Sequence, residues 1–165
     1  MSKTNSHELF KTAMAQLAKD QIATNKSAYD YVIIDCAPSL NLLTINALVA
    51  TDSVIIPMQC EYYALEGLAD LSQTIERLTE LNPKLYIRGV VRTLFDARNT
   101  LARDVSAELE AHFGDIMYKT HIPRNIRLAE APAHGLPVIA HERWSKGARA
   151  YQKLAAEVIK QSTSL

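Results

Sequence analysis

Asp35 closes the apolar run YVIID over Tyr31–Asp35, and Cys36-Ala37-Pro38 follow it. A strand that delivers an Asp at its carboxyl end is how a nucleotide triphosphatase holds the magnesium-bound water near the phosphates. In that reading Ala37-Pro38 stiffen the turn beneath the carboxylate; the plainer alternative is an Asp that opens a turn after an ordinary strand. A second run, SVIIP (Ser53–Pro57), is closed by Pro57 and leads into Gln59, Cys60 and Glu61. Gln59 and Glu61 stand where they could touch a ligand or partner, whereas Tyr62, Tyr63 and Leu65 read as packing at a helix start. The stretch HIPRNIRLAEAPAHGLPV offers two guanidinium groups, Arg124 and Arg127, in a loop restricted by Pro123. It also holds Asn125, whose amide pairs a donor with an acceptor and suits the edge of a base. Arg127 has a second use as the partner of Glu130, three residues on in a helical turn. His7, His112, His121, His134 and His141 show no zinc-ligand spacing, and His134 before Gly135 reads as part of a turn. Ser39 lacks the glycines of a nucleophile elbow.

The elements that must position these residues alternate along the chain. Strand candidates are Tyr31–Asp35, Ser53–Pro57, Tyr86–Leu94, Ile116–Ile122 and a short Pro137–Ala140. Their β-branched, continuously apolar character predicts strands covered on both faces. Helical spacing predicts helices at about 7–24, 39–50, 65–81, 99–113 and 145–161, with Ser39 as a cap and Asn82-Pro83 as a stop. The last of these carries an apolar stripe of Ala148, Tyr151, Leu154, Ala155, Val158 and Ile159, expected to face the core. Short joins between alternating strands and helices predict an α/β fold with a doubly wound, mainly parallel sheet. Ligands of such sheets bind at the carboxyl ends of the strands, where the residues above lie.

Composition narrows the class. The 165 residues are 48% hydrophobic and 22% charged, which excludes a disordered or collagen-like chain. A globule of this length buries roughly 70% of its unfolded surface and needs no staples. Two cysteines make no disulfide framework and fit a reducing, cytoplasmic setting. The polar start MSKTNSHELF does not read as a signal peptide, and no apolar run is long enough for a membrane span. Net charge is zero, but Lys119–Lys160 hold eight Lys/Arg against three acids, a local net of +5. That asymmetry suits either a face that meets phosphates or an ordinary solvated helix face.

Taken together, YDYVIIDCAPSLNLLTINAL, IPMQCEYYALEGL, TLFDARNTLARDV and IPRNIRLAEAPAHGLPVIAHERWSKGARAYQKLAAEV, in this order and spacing, resemble the second half of the ParA/Soj-type chromosome and plasmid partitioning ATPases. These form a deviant Walker branch of the P-loop NTPases, and the resemblance runs from about Tyr29 to Ile159. It implies an ATP- and magnesium-dependent dimer that binds DNA non-specifically and a ParB-type centromere-binding partner that triggers hydrolysis. It further implies a cytoplasmic, nucleoid-associated protein with no membrane attachment. Asp35 matches the Walker B carboxylate acting through the magnesium shell. Pro123 and Asn125 match the adenine-side loop, with Arg124 between them. Arg127 falls in the basic loop used on the DNA backbone, and Lys146 is a second phosphate contact. Ala37 stands where many relatives have a proline, and Trp144 where a basic residue is common. On this basis residues 1–28 are a helical lead-in and 29–162 the C-terminal portion of such a domain.

A P-loop needs a glycine-rich turn followed by Lys and Ser/Thr. The five glycines, Gly67, Gly89, Gly114, Gly135 and Gly147, have no such spacing, and none precedes a lysine. The family's second acidic motif is absent too, so autonomous ATP hydrolysis is not expected. Without a P-loop strand, Tyr31–Asp35 must pair with Ser53–Pro57 directly or leave an open edge. Two other readings stand beside the partition protein: a non-catalytic DNA-binding or dimerisation module that pairs with itself or a full-length relative, and a decayed gene fragment. A MinD-like regulator fits less well, because its membrane-binding tail has no counterpart here.

Overall fold

The computed structural model describes residues 8–24, 27, 29–37, 39 and 41–163. The expectations placed on His7 and Pro38 lie outside those residues. The fold is α/β, with a parallel sheet flanked by helices. Residues Met1–Val54 with Ser72–Tyr86 form one compact unit, and Ile55–Leu71 with Ile87–Leu165 form another. Strand β1 (Ser53–Gln59) and helix α3 (Ala64–Leu78) each contribute to both.

In the second unit, β2 (Tyr86–Thr93) follows the predicted strand Tyr86–Leu94 up to its last residue, Leu94, which lies outside it. Gly89, Val90, Val91 and Arg92 are four consecutive buried residues, as a strand covered on both faces requires. It pairs with β1 on one side. On the other side runs the predicted strand Ile116–Ile122, bridged to it in parallel sense only at Val90–Met117 and Phe95–Pro123. Backbone bonds hold it at Tyr118 N to Val90 O (2.9 Å) and Ile122 N to Arg92 O (2.8 Å). Between them the amides of Lys119 and Thr120 turn away from β2 and donate to the Glu157 carboxylate, at 2.8 and 3.1 Å. Glu157 sits on α7 (Lys146–Ser162), so a helix side chain takes the hydrogen bonds that a ladder would have used.

Tyr118, Leu68, Leu109 and Val90 are fully buried; burial of an aliphatic side chain of this kind stabilises by about 1.5–3 kcal/mol. Gly89 is required where it is: a Cβ there would lie 2.9 Å from the carbonyl oxygen of Ile116 and against the Tyr118 ring. Arg92 is buried with its charge paired to Glu110, although its Nε has no hydrogen-bond partner among the described residues. Its Nη1 donates to Ser106 Oγ at 2.8 Å and to Glu110, and Nη2 donates to the Tyr118 carbonyl at 3.1 Å. Helix α4 (Thr100–Phe113), which carries Ser106 and Glu110, is thereby tied to β2.

β1 departs from expectation. It runs past Pro57 to Gln59, and burial alternates along it, with Ile56 buried and Ile55, Pro57 and Gln59 exposed. Proline is tolerated there because β1 has β2 on one side only. The predicted strand Pro137–Ala140 is instead the start of a short helix, α6 (Val138–His141). Gly135, at φ 63°, ends the 3-10 turn Ala131–His134, and the Pro137 carbonyl then accepts from both Ala140 and His141 at 2.9 Å. Among the described residues no strand pairs with these residues, so their β-branched character goes unused.

In the first unit, α1 (Leu9–Ala23) contains no buried residue, and Leu9 and Leu17 stay exposed. Helix α2 (Leu42–Ala50) buries Ala47, Leu48 and Val49. Its cap is Asn41 rather than Ser39: the Asn41 side chain accepts from Leu43 and Thr44 backbone amides at 2.9 and 3.1 Å. Asn82 does not stop α3, which ends at Leu78. Its buried amide donates to the carbonyls of Leu48 and Thr51, at 3.1 and 2.7 Å, satisfying the end of α2. The predicted strand Tyr31–Asp35 forms no strand. Among the described residues no strand pairs with it, and it is largely exposed, with Ile33 at 92%. Of the two outcomes expected for it, direct pairing with Ser53–Pro57 is absent.

Candidate nucleic-acid interface

Asp35 lies in that exposed, extended segment. Among the described residues no group of three or more His, Cys, Asp and Glu side chains is arranged to hold a metal ion. These 165 residues also supply no glycine-rich cradle for phosphates. One exposed carboxylate without a cradle does not fit a complete magnesium–nucleotide site. Gln59, the last residue of β1, and Glu61 just beyond it are both exposed. Tyr62 and Tyr63 are not packing residues: both are exposed, and their rings meet only edge to face with each other at 5.1 Å. The side chain of Leu65 lies outside what is described.

Past β2 the chain turns at Leu94, a non-glycine residue at φ 50°. The Asp96 carboxylate then takes Arg98 in a two-pronged contact at 3.0 and 2.8 Å. Those bonds hold the Asp96 pKa at about 2, and they commit Arg98 locally. Phe95 is bonded through its backbone to Ile122 and Arg124, which places the Pro123–Asn125 loop at the strand end.

The loop leads into α5 (Ile126–Glu130). Asn125 is half-buried and extended, and its Oδ1 accepts from the Arg127 amide at 3.2 Å. Its acceptor therefore serves as the helix cap. Arg124 is exposed. The Arg127 guanidinium donates to Glu130 at 2.8 Å, the helical-turn pairing that the sequence allowed. His141 stands 3.9 Å from the same Glu130 oxygen and stacks on His134 at 4.6 Å. An exposed pair of this kind is worth about 0–1 kcal/mol, so a phosphate can displace Glu130 from Arg127 at little cost.

Helix α7 opens at Ser145, whose hydroxyl accepts from the Ala148 amide at 3.1 Å. Gly147 is buried against α5: a Cβ there would fall 2.6 Å from Leu128 Cγ. Lys146 and Arg127, the neighbours of these touching residues, are thus brought to one part of the surface. Lys146, Arg149, Lys153 and Lys160 are exposed, and their spacing puts them on one stripe of the helix. Among the described residues no carboxylate pairs with Lys146, Arg149 or Lys153. The buried face of α7 is rotated from the expected stripe. Ala148 and Ala150 are buried and Leu154 and Val158 pack on Val91, Tyr118 and Ile122, while Tyr151, Ala155 and Ile159 are exposed.

Two features were missed in the sequence reading. Glu157 holds the 119–120 amides; burial pushes its pKa up, but the hydrogen bonds from Lys119 and Thr120 prevail and lower it. Arg143 and Arg149 lie 4.8 and 5.8 Å from the Trp144 ring. Their positions one residue before and five after Trp144 were the available signal.

A family model described as AAA domain matches residues 3–87. The sporulation initiation inhibitor protein Soj of Bacillus subtilis is 56% identical over 81% of this chain and 53% of its own length. The chromosome partitioning protein ParA of Caulobacter vibrioides is 54% identical over 79% of this chain and 49% of its own. The crystal structure of cobyrinic acid a,c-diamide synthase from Mycobacterium smegmatis, with bound ADP and magnesium, superposes with a TM-score of 0.73 and 32% identity. That match covers 99% of this chain and 56% of the synthase. The chain spans about half the length of the curated relatives it matches. It belongs to the AAA domain family, and over most of its length it is similar to the ParA and Soj chromosome-partitioning ATPases.

Proposed function

We propose that this chain is the C-terminal portion, residues 29–162 behind a helical lead-in at 1–28, of a ParA-type partition protein acting in chromosome or plasmid segregation. Its part in that process is to bind duplex DNA without sequence preference, in the cytoplasm and on the nucleoid. The observation that supports the reading is the exposed α7 stripe, on which Lys146, Arg149 and Lys153 form no ion pair among the described residues, with Arg127 on the neighbouring α5. Arg127 and Lys146 are the phosphate contacts. Asp35 acts through a magnesium shell, and Pro123, Arg124 and Asn125 form the adenine side, only when a phosphate cradle is supplied from outside these residues. Without a P-loop of its own, the chain is not expected to hydrolyse ATP by itself. Its partners are a ParB-type centromere-binding protein and a second copy or full-length relative in a dimer.

The missing cradle also favours a second reading, a non-catalytic DNA-binding or dimerisation module. Salt-dependent duplex binding tests the shared element. Arg127→Ala and Lys146→Ala should each weaken binding equally on unrelated sequences and reduce the salt slope by about one unit. Unchanged affinity and slope in both variants would remove the DNA assignment.

A further inference from the structure

Trp144 is the chain's one tryptophan, and it is 67% exposed at the head of α7. An indole of this size in solvent gains nothing from the core. The guanidinium groups of Arg143 and Arg149 lie over its ring within cation–π range, and the residue still keeps most of its surface exposed. Lys146 and Lys153 continue the positive charge along the same helix. A duplex presents phosphates and groove edges to such a surface, and for those the lysines and arginines suffice. An open aromatic face flanked by cations is what an unpaired base stacks on, with the neighbouring phosphates met by the charges.

From this arrangement we infer that Trp144, with Arg143 and Arg149, is a stacking platform for a base of single-stranded nucleic acid. This goes beyond the duplex reading and shares with it only the cations of α7. A lipid surface is the other occupant that tryptophan and basic residues suit. It is disfavoured because the exposed apolar residues of α7, Tyr151, Ala155 and Ile159, lie on roughly the opposite side of the helix from Lys146, Arg149 and Lys153, so one lipid surface cannot meet both.

Because the chain has one tryptophan, its fluorescence excited beyond the tyrosine absorption band reports on Trp144 alone. The full chain is titrated with a short oligothymidylate, with a duplex of the same length and with phosphatidylserine vesicles. Oligothymidylate should quench the emission, and the duplex should bind with little quenching. Trp144→Ala should weaken oligothymidylate binding, followed by anisotropy of a labelled strand, about tenfold or more, while Trp144→Phe retains most of it. Duplex affinity should change less than about twofold in either variant, since phosphate contacts supply it. Full oligothymidylate affinity in Trp144→Ala, or a blue shift with vesicles and no response to oligothymidylate, overturns the inference. Quenching by oligothymidylate without any duplex binding upholds the stacking platform and removes the duplex reading. Duplex binding with no oligothymidylate response does the reverse.

Discussion

Tyr31–Asp35 and Gly89–Thr93 are both short, β-branched runs, yet Ile33 is 92% exposed and Val90 is fully buried. The difference lies outside the runs themselves. β2 has β1 on one side and the 117–123 segment on the other, and Gly89 lets Tyr118 and the Ile116 carbonyl close over it. Among the described residues, no strand is hydrogen-bonded to Tyr31–Asp35 on either edge. Strand propensity is a fit to a surface, and where no surface is offered the same residues stay extended and open. The candidate site residues follow the same division. The cationic elements α5 and α7 rest on the well-packed region around β2, whereas the carboxylate Asp35 hangs on the unpaired segment.

The comparison can be broken most forcefully at Gly89 and Val90. Gly89→Ala forces its methyl against the Ile116 carbonyl and should cost about 2–4 kcal/mol in denaturant unfolding; Val90→Ala should cost about 2–3 kcal/mol. Losses below about 0.5 kcal/mol at both positions would mean that β2 is not the packed centre. Glu157→Gln comes next, at about 1–2 kcal/mol, because the Lys119 and Thr120 amides keep only a neutral acceptor. Glu157 has a lowered pKa in the folded chain, so its contribution is complete above the ordinary carboxylate range and fades as pH falls through the lowered value. The gap between parent and variant should therefore close in acid. A gap that is the same at neutral and acid pH would remove the charge from the explanation.

The cysteines sharpen the contrast without changing stability. Cys36 is exposed beside Asp35, while Cys60 is buried and its thiol pKa is pushed up by burial. Alkylation under native conditions should modify Cys36 at least about tenfold faster than Cys60. Equal rates would place the two segments in similar surroundings. The smallest effect belongs to Ile33→Ala, which should change stability by less than about 0.5 kcal/mol; a loss comparable to that of Val90→Ala would show that Tyr31–Asp35 is packed after all.

Much of this was legible in the residues. The five main helices, β1 and β2 follow from spacing and β-branching, and the Arg127–Glu130 pair was one of two uses read for Arg127. What the sequence did not disclose depends on contacts between distant positions. VIID and PVIA look like strands because local composition carries no record of whether an edge is available. Ser39 and Asn41 are both capping residues two positions apart, and only the backbone settles that Asn41 has the geometry. Glu157 lies 38 residues from Lys119, and no local pattern announces that a carboxylate on α7 will take the place of a ladder partner. The exposure of Tyr62 and Tyr63 was likewise hidden, since aromatic residues at a helix start usually pack. Among site residues, the positions of Arg127 and Lys146 on the helical surface were readable, but their proximity through Gly147 and Leu128 was not.

The central claim is that the cationic face is built while the nucleotide site is not. Thermal unfolding of the full chain with and without Mg-ATP tests it most directly. A ligand at a hundredfold excess over its dissociation constant stabilises by about 2.7 kcal/mol, which raises the Tm of a chain this size by about 5–10 °C. The account predicts a cooperative transition that Mg-ATP leaves in place. A rise of that size, abolished by Asp35→Ala, would contradict it and show a working nucleotide site in these residues.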